Sequence, residues 1–324
     1  MVPIDSQKKF KSIKVVRDIR NLPLTEVNET EEIGIDNWKQ VDLVNAIESG
    51  LTVNVSVGEH TSNTSWDTTF WWHEVALVLE GEMIVKDKLT GANYHGHDGD
   101  MFYFDHGSKA TIGGAFKGYF IRTPIPWRVT NNNGITKAIN LLKLENEVLL
   151  PGSPPESTRK HFDIEMKGKE FPDRGLIKFI KGATSVPLGK VQNLGVSLDE
   201  NWLFSPLLEG IETDQLLSVS LDGHASPKMN FGHLHRWHQI VLFLEGEMTN
   251  EVLDTGEVYK IRKGDFLYMA PGLKHRVGGD FRVFVFHTPP RWRHTITTGG
   301  YIAINSILPL EDEVVHPGSN PEKS

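Results

Sequence analysis

Apolar residues along this chain fall in short runs, such as Val75 to Leu79, or alternate with polar ones, as in Phe281 to Phe286. Turn-forming pairs such as Thr-Gly, Gly-Asp and Gly-Gly bound these runs, and no stretch sustains a 3.6-residue apolar period. Closely spaced strands with frequent glycine turns predict an all-β antiparallel sandwich or barrel of the jelly-roll kind.

The pattern occurs twice. Trp72-His73-Glu74-Val75-Ala76-Leu77-Val78-Leu79-Glu80-Gly81-Glu82-Met83 returns as Trp237-His238-Gln239-Ile240-Val241-Leu242-Phe243-Leu244-Glu245-Gly246-Glu247-Met248, 165 residues later. The register holds through Thr90-Gly91 on Thr255-Gly256, Gly99-Asp100 on Gly264-Asp265 and Trp127-Arg128 on Trp292-Arg293. With one-residue slips, Asn37-Trp38 falls on Asn201-Trp202 and His60 on His224. A period of this length signals a duplicated domain. The Pro- and Ser-containing stretch Pro151 to Thr158 reads as the linker, which divides the chain into residues 1–158 and 159–324.

Composition narrows the function classes. Hydrophobic residues make up 39% and charged residues 23%, the balance of a globular protein. A formal net charge of −8 with scattered Lys and Arg provides no basic stripe for a phosphate backbone, so nucleic acid is not an expected partner. Neither a signal-peptide run at Met1 to Phe10 nor an 18-residue apolar window is found, and the expectation is a cytoplasmic protein that does not use a membrane. With no Cys, disulfides, thiolate nucleophiles and Cys-type zinc sites are excluded.

Candidate chemistry gathers in the second copy. His233, His235, Trp237 and Gln239 are spaced two apart, so on a strand they share one face, and His238 points the other way. The order strand, Glu-Gly-Glu turn, strand, Thr-Gly hairpin, Gly-Asp, short strand and Pro-Gly-x-x-His resembles the cupin superfamily. Its first motif appears as His233-Leu234-His235, Gln239 and Gly246, with Gln in place of the usual Glu, and its second as Gly264-Asp265 followed by Pro271-Gly272-Leu273-Lys274-His275. The resemblance covers nearly the whole chain and implies a bicupin: two tandem jelly-roll, or double-stranded β-helix, barrels. It also implies that His275 joins His233, His235 and Gln239 around a divalent metal ion, with positions left open for water or substrate.

The first copy serves as a control, because its matching positions are Thr68, Phe70, Glu74 and Ala110. Three of the four candidate ligands are gone, so it reads as a degenerate barrel, with Glu74 a hydrogen-bonded lumen residue. His73 and His238 read as structural, and His95, His97 and His106 as solvated loop residues. For His287 and its counterpart Arg122, contact with a substrate is left open and no role is assigned.

Three neutral imidazoles and an amide leave a divalent ion its full charge, which suits anionic chelating ligands such as a phenolate, enediol or carboxylate. Neutral sites of this kind resemble those of Fe(II) ring-cleaving dioxygenases. The set His235, Gln239 and His275 is similar to that of the large subunit of hydroquinone dioxygenase. The implied function is an Fe(II) dioxygenase of aromatic catabolism that takes O₂ and a phenolic substrate against Trp237, with a small partner subunit and a homo-oligomeric state both in keeping with the family. The alternatives are a redox-neutral isomerase, lyase or decarboxylase, for which Zn, Ni or Mn would serve, and a non-enzymatic small-molecule-binding cupin.

Overall fold

The computed structural model describes residues 13–26, 37–44, 52–70, 72–123, 177–190, 201–208, 217–229 and 237–288, with Ser49 and Thr213. It also describes the backbone of the strands 127–132, 135–140, 233–234, 292–297 and 300–306. Regular structure here is strand, punctuated by single 3-10 turns such as Ile19–Asn21 and Ala183–Ser185. The protein is all-β, and among the described residues no helix is long and apolar enough to cross a membrane.

The unit Arg20–Ser185 holds two larger sheets and the separate two-stranded sheet of Trp127–Asn132 and Ile135–Asn140. One larger sheet carries Ile177–Ile180, Met101–Phe104, His73–Gly81, Phe116–Thr123, Asn54–His60, Trp38–Val44 and Thr25–Glu26 in that order, and the other Ser65–Thr69, Lys109–Gly113, Met83–Asp87 and Asn93–Gly96. Alternation directs Ala76, Val78, Phe102, Phe104 and Phe120 of the first sheet into one core with Val85, Ala110 and Ile112 of the second. This is the barrel lumen, and in this copy it is filled.

The second unit, Met1–Ile19 with Val186–Ser324, repeats the design with longer strands. His238–Val252 and Lys274–Thr288 each run through both layers, where the first unit interrupts the equivalent strands. Their pairing shifts register just before Gly246, in the Glu-Gly-Glu turn of His238–Val252. Gly246 has φ +73, and a Cβ there would lie 2.0 Å from the Asp280 carbonyl oxygen; Gly81 has φ +78 and the same conflict at 2.2 Å with Ala115. Only glycine lets the crossing backbones approach this closely.

Backbone pairing corrects the domain assignment made from sequence. Ile13–Val16 pairs antiparallel with Phe266–Met269 of the second barrel, and Ile177–Ile180 pairs with Met101–Phe104 of the first. Each repeat therefore lends its leading strand to the other repeat's sheet, and the division is at 19/20 and 185/186 rather than 158/159. The expected linker, Pro151 to Thr158, lies outside the described residues.

The Gly-Asp pairs hold the exchanged strands. Asp265, buried, accepts from the backbone N–H of Asp18 at 3.2 Å and of Arg262 at 3.0 Å, and it pairs with the Arg17 guanidinium. Asp100 does the same for Gly182 at 2.6 Å and His97 at 2.8 Å. Both strands leave their sheet through a left-handed residue, Asp18 with φ 45 and Gly182 with φ 61.

Candidate functional site

Val241 and Phe243 lie in the apolar core of the second barrel, so strand parity carries Gln239 to the same lumen. The Gln239 carboxamide oxygen is fully covered and has no hydrogen-bond partner. Across its two ladders Gln239 stands in register with His287 and with Met269. Both are buried, and the His287 ring meets Trp237, also buried, edge-on at 5.8 Å and 86°.

His275 is 1% exposed and stands in register with His233 on one side and Val252 on the other. Two of the three expected histidines thus occupy one rung of the sheet. His235 and the side chain of His233 lie outside the described residues. Among the described residues no three His, Asp or Glu groups form a metal-binding cluster.

One lumen residue was passed over in the sequence. Asn250 is completely buried, its Nδ2 donates to Met269 Sδ at 3.5 Å, and its Oδ1 has no partner. Its counterpart 165 residues earlier is Val85, so the duplication itself held the signal: an apolar wall position became an amide.

The first barrel resolves the same positions differently. Glu74 accepts from Trp72 Nε1 at 2.7 Å and from Arg122 Nε at 2.7 Å, and the guanidinium also donates to Asn54 Oδ1 and Ser56 Oγ, both at 3.2 Å. As expected, Glu74 is a hydrogen-bonded lumen residue. Phe70 stacks on Phe104 with centroids 4.1 Å apart and planes at 7°, and Ala110 and Val85 complete the packing. Arg122, open in the sequence reading, is here the partner of Glu74.

The remaining histidines have local roles. His73 and His238 face away from the lumen and meet the hydroxyls of Tyr103 and Tyr268 at 2.7 and 2.8 Å. Burial pushes the His238 imidazole down to about 4, keeping it neutral. His95 meets Glu82 Oε1 at 2.9 Å on the surface, with His97 at 3.8 Å from the same oxygen. His106 is partly buried, and burial followed by the neighbouring His73 lowers its pKa. The side chains of the Trp-Arg pairs, Trp127-Arg128 and Trp292-Arg293, lie outside the described residues.

The family model described as "Cupin domain" matches residues 221–297, which span Gln239, Asn250, His275 and His287. The match falls in the second barrel, and the first barrel is built to the same plan. The chain carries a cupin domain within a fold of two tandem barrels. Its fold is similar to that of a putative glyoxylate-induced protein from Pseudomonas aeruginosa, at 13% identity and a TM-score of 0.55, covering 90% of this chain and 93% of that one. It is also similar to the protein Ylba from E. coli, at 10% identity and a TM-score of 0.52, covering 85% and 90%. No curated protein sequence matches this chain significantly.

The donor chemistry of the second lumen fits a divalent ion. Gln239 presents a covered oxygen that no described residue satisfies, and a buried acceptor left in that state costs about 1–3 kcal/mol. A cation or its bound water relieves that cost. His275 adds a buried imidazole on the rung that holds His233. The first barrel, with Glu74 bound internally and Ala110 opposite Thr68, provides no such set.

Proposed function

We propose that the C-terminal barrel of this protein holds one divalent metal ion through His233, His235 and His275, with Gln239 as a fourth or exchangeable ligand. In this reading the protein is an Fe(II) dioxygenase that opens a hydroquinone-like ring. The observation that carries the metal assignment is the Gln239 carboxamide oxygen, buried and unsatisfied where the first barrel's Glu74 is fully engaged. When bound, the ion would serve as a Lewis acid toward a phenolate oxygen and, as Fe(II), would bring O₂ to the same place.

The residues of the chain set the conditions for that chemistry. Gln239 and the imidazoles are neutral, so the lumen retains the positive charge that draws an anionic phenolate. Trp237, with its indole held against His287, provides a flat apolar wall for an aromatic ring. Apolar residues such as Val241, Leu267 and Val285 line the rest of the barrel and exclude water. In the net reaction one ring C–C bond breaks and both atoms of O₂ enter the product, so the substrate supplies the electrons and no separate reductant is needed.

Anaerobically purified, iron-loaded protein should consume O₂ when hydroquinone or a substituted hydroquinone is added. No uptake across a panel of phenols by iron-loaded protein would refute the dioxygenase assignment. Turnover of a panel member under strict anaerobiosis would place the protein in the redox-neutral class.

A further inference from the structure

Asn250 stands between the two rungs that carry the candidate centre. It shares a face with Val252, the cross-strand partner of His275, and is therefore the diagonal neighbour of His275 on that face. Its Nδ2 reaches the sulfur of Met269, which is in register with Gln239. A thioether can only accept, so the amide turns its N–H side to the sulfur and its oxygen away from it. That oxygen is buried without a partner, and Met248, Val252 and Val277 beside it are apolar.

Nothing in the folding of the barrel calls for an amide here, since Val85 fills the equivalent place in the first barrel with no exposed surface. An unsatisfied acceptor in an apolar wall is unfavourable for folding, and it discriminates strongly among ligands that reach it. A hydroxyl or N–H that meets it gains a hydrogen bond in a dry site. A methyl or ether group in the same place leaves it orphaned.

We infer that Asn250 is a substrate-recognition residue whose carboxamide oxygen accepts a hydrogen bond from a neutral donor on the ligand, namely the hydroxyl of a dihydroxy aromatic that does not ligate the metal. The inference rests on the phenolic reading of the site and adds to it the selection of a diol over a monophenol. It assigns no proton transfer to Asn250, whose role is positioning and specificity.

The test compares hydroquinone with 4-methoxyphenol, each able to offer one phenolate oxygen, by anaerobic titration of the metal-loaded full-length protein. Wild type should bind hydroquinone about tenfold more tightly or better, the equivalent of one buried neutral hydrogen bond. In Asn250→Val and Asn250→Ala the ratio should fall to within about twofold of one, with metal content unchanged. The metal-free melting temperature of Asn250→Val should be no lower than that of wild type, because an orphaned acceptor has been removed. A preference for hydroquinone that survives in both variants would overturn the role of Asn250 and leave the phenolic reading intact. Wild-type protein that loads metal and binds neither phenol would overturn the phenolic reading and this inference with it. A lower melting temperature with metal loss in both variants would assign Asn250 to structure instead.

Discussion

The two barrel lumens of this protein share a strand plan and a tryptophan, yet one is closed on itself and the other is left with unmet demands. In the first, Glu74 has Trp72 and Arg122, and Phe70 with Phe104 occupies the space beside it. In the second, Gln239 stands for Glu74, His287 for Arg122, His275 for Ala110 and Asn250 for Val85. The carboxylate–guanidinium pair has become an amide and an imidazole, and two amide oxygens are buried without partners among the described residues. On the function proposed above, the difference locates the ligand: a lumen that satisfies its own polar groups has no need of one, whereas buried acceptors call for something that donates to them or coordinates them.

Breaking the first lumen should have the larger effect on folding. Arg122→Ala leaves the Glu74 carboxylate without a counter-ion in a site where its side chain is 6% exposed. The cost should be about 3–5 kcal/mol, and the double variant with Glu74→Gln should recover most of it. Urea unfolding, with hydrogen exchange followed in residues 73–123, measures both. A double variant no more stable than Arg122→Ala alone would show that the pair is not the closing element.

The equivalent change in the second lumen should be small and of opposite sign. Gln239→Leu removes an acceptor that no described residue satisfies, so metal-free protein should be unchanged or stabilised by up to about 1 kcal/mol. Metal-loaded protein should lose affinity for the ion. Destabilisation of the metal-free form by more than about 1 kcal/mol would mean that Gln239 is bonded in solution and that the contrast between the lumens is overstated.

Much of this was legible in the sequence. The strands, the Glu-Gly-Glu turn and the duplication follow from alternation, glycine placement and a fixed register, all of which are local. The strand exchange was not legible, because Ile13-Lys14-Val15-Val16 and Ile177-Lys178-Phe179-Ile180 have the same character and each could pair with either sheet. What decides it in the structure is long-range: the buried Asp265 and Asp100 that receive the strand ends. At the site, histidines announce themselves by type and spacing, and Gln239 stood out as a departure from a motif. Asn250 announced nothing, since a lone Asn in a strand is unremarkable until its counterpart is seen to be a core valine. Glu74 and Arg122 were each noticed, but their pairing depends on adjacent strands that only the fold brings together.

The most direct test of the account is the metal content per chain of protein purified without oxygen, wild type beside His275→Ala. The account predicts about one divalent ion per chain in wild type and close to none in the variant, with both proteins folded. Wild type that takes up no metal after incubation with Fe(II), Mn(II) or Zn(II), or a variant that retains the wild-type content, would contradict it.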